Sequence, residues 1–176
     1  MKKNPILIAL ILVTFFVISF LTNIIGPLVP DIIKSFGLSL KMASFIPFSF
    51  FVAYGVMSIP SGFLIEAFGE KKVMIIAFFI SSIGAFLFAS TGSYSFYLVS
   101  LFLIGTGMAM LQVAINPLLR TIGGEKEFAF NSVLGQLFFG LASFISPLIY
   151  SYVINNVNDQ SQSNNVIIKF LNAIKF

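Results

Sequence analysis

The chain has 176 residues, of which 58% are hydrophobic and 9% charged, against about 45–50% and about 25% in a soluble domain. A chain this small cannot bury so much apolar surface against itself, so the surplus must face lipid and a soluble globular fold is excluded. Cysteine and histidine are absent, which excludes disulfides, thiol chemistry and the usual zinc and haem sites, while the net charge of +4 sits at segment ends and reports topology rather than nucleic-acid binding.

A helix rises about 1.5 Å per residue, so about 20 apolar residues cross the hydrocarbon layer. Five stretches meet that length. The first covers residues 5–29. It follows Lys2 and Lys3 and resembles a signal peptide, but the apolar run from Ile6 to Ile25 exceeds an h-region of about 7–15 residues and no small-x-small site follows. It is therefore read as a permanent span, carrying Thr22, Asn23, Gly26, Pro27 and Pro30. The second covers 42–65, where Pro47 and Pro60 predict kinks. The third covers 73–90, with Ser81 and Ala85 spaced for close helix approach. The fourth covers 94–119, with Gly105 and Ala109 at the same spacing, then Gln112, Asn116 and Pro117. The fifth covers 128–154 and carries Asn131 and Gln136.

The breaks between the spans are short, polar and rich in glycine, so neighbouring spans run antiparallel. The fold expected is an all-α membrane bundle. With a cytoplasmic N-terminus, Lys2, Lys3, Lys71, Lys72, Arg120 and Lys126 fall inside, and Lys34, Lys41, Lys169 and Lys175 outside. That bias satisfies the positive-inside rule. Residues 155–176 read as a polar outer loop, NNVNDQSQSNN, followed by a short amphipathic segment. There Ile167, Phe170, Leu171 and Ile174 recur at helical spacing beside Lys169 and Lys175, a pattern suited to the interface.

Polar groups within hydrocarbon usually face a cavity or a neighbouring helix. Asn23, Gln112, Asn116, Asn131 and Gln136 supply amides on three spans. Gln112 and Asn116, four residues apart, share one helix face. Amides both donate and accept hydrogen bonds, as the hydroxyls of a sugar require; the alternative is interhelical glue. Every acidic residue lies at an end or in a loop: Asp31, Glu66, Glu70, Glu125, Glu127 and Asp159. No mid-span carboxylate or histidine is present to carry a proton, whereas sodium needs only neutral oxygens. Gly105 and Gly107 lack the strand context of a nucleotide-binding turn. No cofactor site and no catalytic constellation is seen, so an enzyme is not expected.

Two segments carry a family resemblance. Residues 62–72, GFLIEAFGEKK, resemble the major-facilitator signature between the second and third helices, with Glu66 in place of its aspartate and Ala67 in place of its arginine. Residues 105–117, GTGMAMLQVAINP, resemble the fourth helix of the fucose–galactose–glucose symporter family, whose typical run is LETAANP-like. Asn23, ahead of Pro30, is similar to that family's first-helix pattern. The run from Phe128 to Gln136 is similar to the fifth helix of its bacterial glucose/galactose branch, with Gln136 about two residues from the usual glutamine.

The resemblance extends through about Ile154 and implies a hexose transporter in a bacterial inner membrane. It implies substrate contacts from Asn23, Gln112, Asn116, Asn131 and Gln136, and a cytoplasmic gating loop built on Gly62, Glu66, Gly69, Lys71 and Lys72. The family places carboxylates where this chain has Gly26 and Gln112, so among coupling cations sodium is expected over a proton, with facilitation also open. The superfamily has twelve helices in two halves. The chain is accordingly expected to be an N-terminal part truncated before the sixth helix, inactive without its C-terminal half. The rival expectation is a small five-helix assembly or scaffold protein without transport activity.

Overall fold

A computed structural model describes residues 5–158 apart from 91. Helix α1 spans Pro5–Phe36, α2 Leu40–Ala43, α3 Phe45–Phe68, α4 Glu70–Ser90, α5 Tyr94–Gly123 and α6 Phe128–Asn158, with a 3-10 turn at Glu125–Glu127 before α6. No strand occurs among the described residues. Five segments are long and apolar enough to cross a membrane: α1, α2 with α3, α4, α5, and α6 with its preceding turn. The chain is thus an all-α membrane bundle.

The helices outrun the apolar stretches that define them. Helix α1 continues past Val29 to Phe36, and α5 past Leu119 to Gly123. Hydropathy marks the hydrocarbon layer, but a helix satisfies its own backbone and can extend into water. The same reason corrects the expected loop at Asn155: residues 155–158 are the last turn of α6, where Asn156 donates to the Tyr152 carbonyl at 2.7 Å. The amphipathic segment around Ile167–Ile174 lies outside the described residues, as do Lys2 and Lys3.

Pro47 is also placed differently from expectation. It sits in the first turn of α3, where a backbone N–H has no intrahelical partner to lose. It starts the helix, leaving Pro60 as the interior proline.

Helix α5 is the core of the bundle. Of its most apolar window 56% is buried, against 11% for α6, so most of α6 faces outward. The whole run Gly105–Leu111 is buried. Glycines let α3 and α4 close on it. A Cβ at Gly105 would collide with the Phe50 carbonyl of α3, and one at Gly107 with Ser81 and Ala77 of α4. The α4 contact stripe therefore runs Ala77, Ser81, Gly84, all buried, rather than Ser81 and Ala85; Ala85 is exposed. Ser49 of α3 adds a hydrogen bond to the Leu98 carbonyl of α5 at 2.6 Å.

Helices α1 and α6 form a second, parallel pair. Gly135 of α6 lies against the Phe15 ring, where a Cβ would come within 2.7 Å. Farther along, Ser19 donates to the Phe139 carbonyl at 2.6 Å, and Ser146 donates back to the Phe20 carbonyl at 2.9 Å.

The turns after α3 and after α5 share one end of the bundle and one geometry. Gly69 and Gly124 both have φ 80°, a conformation that favours glycine. Each closes its helix by an N–H to the carbonyl four residues back, Ile65 at 2.8 Å and Arg120 at 3.1 Å. Each is followed by Glu and Lys, as Glu70–Lys71 and Glu125–Lys126, so a carboxylate meets the positive N-terminus of the next helical segment.

Candidate functional site

The five amides occupy unlike environments. Asn23 is half-buried on α1, and its Nδ2 donates to the Ser19 carbonyl at 2.8 Å and to Ser19 Oγ at 3.2 Å. It is thus fastened to its own helix, beside the serine that binds α6. Gln112 is half-buried on α5, and its Oε1 is buried without a hydrogen-bond partner. One turn on, Asn116 is exposed beside Pro117. The stripe through Gln112 and Asn116 continues by helical spacing to Leu119 and Gly123, both buried.

On α6 the two amides separate. Asn131 is buried, 5% exposed, with Nδ2 unpartnered and so close to Gly123 that a Cβ there would lie 2.7 Å away. It packs at the end of the bundle that carries the Gly124 turn. Gln136 is exposed. The residues of the expected gating loop lie at that same end, but only Gly69 is outside a helix there: Gly62 and Glu66 belong to α3, and Lys71 and Lys72 to α4. Gly62 is half-buried, Gly69 forms the turn, and Glu66, Lys71 and Lys72 are exposed. Beside it, Arg120 and Glu125 pair at 2.5 Å while 61% and 77% exposed, a surface pair of about 0–1 kcal/mol.

Two polar groups escaped the sequence reading. Most hydroxyls in the spans bond the carbonyl four residues back, as Thr14, Thr22, Ser81 and Ser100 do. That bond satisfies the group locally. Thr106 Oγ1 and Ser132 Oγ are buried and do not. Thr106 lies between Gly105 and Gly107, and that setting was its only signal in the sequence. Together with Gln112 and Asn131, these are groups whose polarity the bundle has not satisfied, and leaving such groups bare in hydrocarbon is expensive.

Two cavities meet on the far side of the bundle from the Gly69 and Gly124 turns. One, about 160 Å³, is walled entirely by apolar residues of α1, α3, α4 and α5, among them Leu21, Ile24, Ile46 and Ile104. The other, about 570 Å³, opens at the end of α6 and includes Asp31, Lys34, Tyr97, Tyr150 and Ile154. Neither is lined by any of the five amides. Here the Tyr150 hydroxyl donates to the Asp31 carboxylate.

Comparison with known proteins gives one answer. The family model described as Major Facilitator Superfamily matches residues 11–161. The putative glucose/galactose transporter of Helicobacter pylori strain J99 is 32% identical over 174 residues, covering 97% of this chain and 42% of that protein. The L-fucose-proton symporter of Escherichia coli K12 is 31% identical over 158 residues, covering 88% of this chain and 36% of that protein. A crystal structure of the E. coli fucose:proton symporter superposes with a TM-score of 0.73 at 28% identity, covering 98% of this chain and 43% of that one. The chain therefore spans about two-fifths of the length of these relatives. The five apolar spans, the glycine-mediated packing on α5 and these matches together place the chain in the major facilitator superfamily.

Proposed function

We propose that this chain supplies the N-terminal helices of a bacterial inner-membrane hexose transporter, with Gln112 and Asn116 at the sugar and no catalytic role. The carrying observation is the bare Oε1 of Gln112, one turn from the exposed Asn116 on the same face of the most buried helix. A buried acceptor without a partner, one turn from an exposed amide, gains a hydrogen bond when its side chain turns toward a sugar hydroxyl. The relatives named for glucose, galactose and fucose support that substrate class. Asn23 on α1 and Gln136 on α6 are proposed as secondary sugar contacts. Asn131, buried against Gly123, holds α6 to α5. Net transport requires a second set of helices across the sugar.

The segment from Gly62 to Lys72, made of the end of α3, the Gly69 turn and the start of α4, is proposed as the cytoplasmic gate element, with the N-terminus in the cytoplasm. Two relatives of the chain are named proton symporters, but here the coupling cation is proposed to be sodium, if one is used. Gly26 and Gln112 are neutral where the resemblance expects carboxylates. Asp31 is bonded to Tyr150 near the far end.

The test is saturation-transfer NMR of the chain in lipid nanodiscs, at millimolar glucose, galactose and fucose. Hexose signals that weaken in Gln112→Ala are the expected result. Equal signals in the variant overturn the assignment of Gln112. A scaffold role is the second reading, favoured by Asn23 being bonded within its own helix. It predicts no sugar signal and no effect of any hexose on stability.

A further inference from the structure

Ser19 of α1 is fully buried and bonded on two sides. A carbonyl oxygen can only accept, so the one hydroxyl proton of Ser19 is committed to the Phe139 carbonyl of α6, at 2.6 Å. With that proton spent, Ser19 Oγ can only accept from the Asn23 side chain, which lies one turn on at 3.2 Å. The Ser19 backbone carbonyl, 2.8 Å from the same side chain, can likewise only accept. Both oxygens therefore call for the NH2 edge of the Asn23 amide. The hydrogen-bonding surroundings of an amide decide which way its oxygen and nitrogen point, and here they admit one orientation. The carbonyl edge is turned off Ser19, and Asn23 Oδ1 has no hydrogen-bond partner among the described residues.

We propose, on the reading that Asn23 contacts the sugar, that Ser19 is a positioning residue: it holds the amide so that Asn23 accepts a hydrogen bond from one sugar hydroxyl and donates none. Helix α6 thereby sets the polarity of a group on α1 without touching the ligand, because Phe139 fixes the Ser19 proton and Ser19 fixes Asn23. Joining the two helices needs less than this. Ser146 of α6 makes the same kind of bond to the Phe20 carbonyl at 2.9 Å, with no amide attached. Gln112 also offers an unpartnered carbonyl oxygen, from α5. A ligand that meets both oxygens must bring donors, as a sugar hydroxyl does and a fluorine in its place does not.

The test measures binding of galactose and of its monodeoxy and monofluoro analogues to the full chain in lipid nanodiscs, for the parent, Ser19→Ala and Asn23→Ala. The hydroxyl that meets Asn23 is the one whose removal no longer costs affinity in Asn23→Ala. Fluorine can accept but not donate, so at that position the deoxy and fluoro analogues should lose the same factor in the parent, about fivefold to tenfold. In Ser19→Ala one Asn23 N–H is freed, and the fluoro analogue should bind a few-fold more tightly than the deoxy. A single factor lost by every ligand in Ser19→Ala, or a fluoro analogue that already outbinds the deoxy in the parent, overturns the proposal. NMR of the Asn23 side-chain NH2, in protein labelled with isotopic asparagine, gives a readout that needs no sugar. Slow hydrogen exchange in the parent and faster exchange in Ser19→Ala are expected, and equal exchange overturns the role of Ser19. No hexose binding by the parent, with that change in exchange intact, sinks the sugar reading and leaves Ser19 as the residue that orients the amide.

Discussion

The Tyr150 hydroxyl of α6 donates to the Asp31 carboxylate of α1, joining two parallel helices near the end where α6 stops. A hydrogen bond to a charged acceptor contributes about 1.5–3 kcal/mol in a protected site, but partial exposure and competition from water reduce it. Tyr150→Phe is expected to destabilise the bundle by about 1 kcal/mol. Asp31→Asn should cost a similar amount, and the double variant should show coupling of at least half of either effect. Reversible unfolding in mixed detergent micelles measures this, and strict additivity would break the link between the two residues.

The serine bonds between α1 and α6 are reciprocal, each helix donating once to the other's backbone. Polar contacts of this kind average about 0.6 kcal/mol in membranes. Ser19→Ala and Ser146→Ala should each lose about that much in the same unfolding assay. Ser19→Ala should lose more of the two, because it also removes a hydrogen-bond partner of Asn23.

Gly105 and Gly107 have no room for a side chain, because the obstructing atoms include backbone of α3 and α4. Gly105→Val or Gly107→Val should wedge the core open and cost about 1–3 kcal/mol or more, seen as a lower yield of folded protein and a lower melting temperature. Gly55→Ala, where a Cβ meets nothing within 4 Å, should stay within about 0.5 kcal/mol of the parent.

Sugar affinity should separate the amides that the sequence grouped together. Gln112→Ala should weaken hexose binding about fivefold to tenfold, the equivalent of one hydrogen bond of ~1–1.4 kcal/mol. Asn131→Ala should leave affinity within about twofold and instead lower stability, since its amide is packed against Gly123. Titration of each variant with galactose, alongside its unfolding curve, distinguishes the two roles. A loss of affinity on Asn131→Ala as large as on Gln112→Ala would place Asn131 at the sugar.

Orientation follows from labelling single cysteines in intact cells with a membrane-impermeant maleimide. Lys41→Cys should react at once. Lys72→Cys and Lys126→Cys, at the end with the Gly69 and Gly124 turns, should react only after permeabilisation. The opposite pattern would invert the topology.

Much of this molecule was legible in one dimension. The burial demand of an apolar chain in lipid fixes helices, and their number and approximate extent follow from hydropathy. The glycine stripe on the fourth span also marked the place of closest packing. Element ends were less legible, because hydropathy reports the hydrocarbon layer while the helix ends where a turn residue such as Gly69 or Gly124 allows it.

Composition and pattern by themselves determined a membrane bundle of five antiparallel spans, its charged turns and the amides proposed here to meet a sugar. Only tertiary structure decided how each of those amides is surrounded and bonded. Asn23 donates to Ser19, Asn131 is packed on Gly123 with its Nδ2 unpartnered, and Gln112 has a buried acceptor without a partner. These amides are chemically alike in sequence. Their fates differ because satisfaction of a polar group depends on which helix lies opposite, and that is set by contacts between residues far apart in the chain.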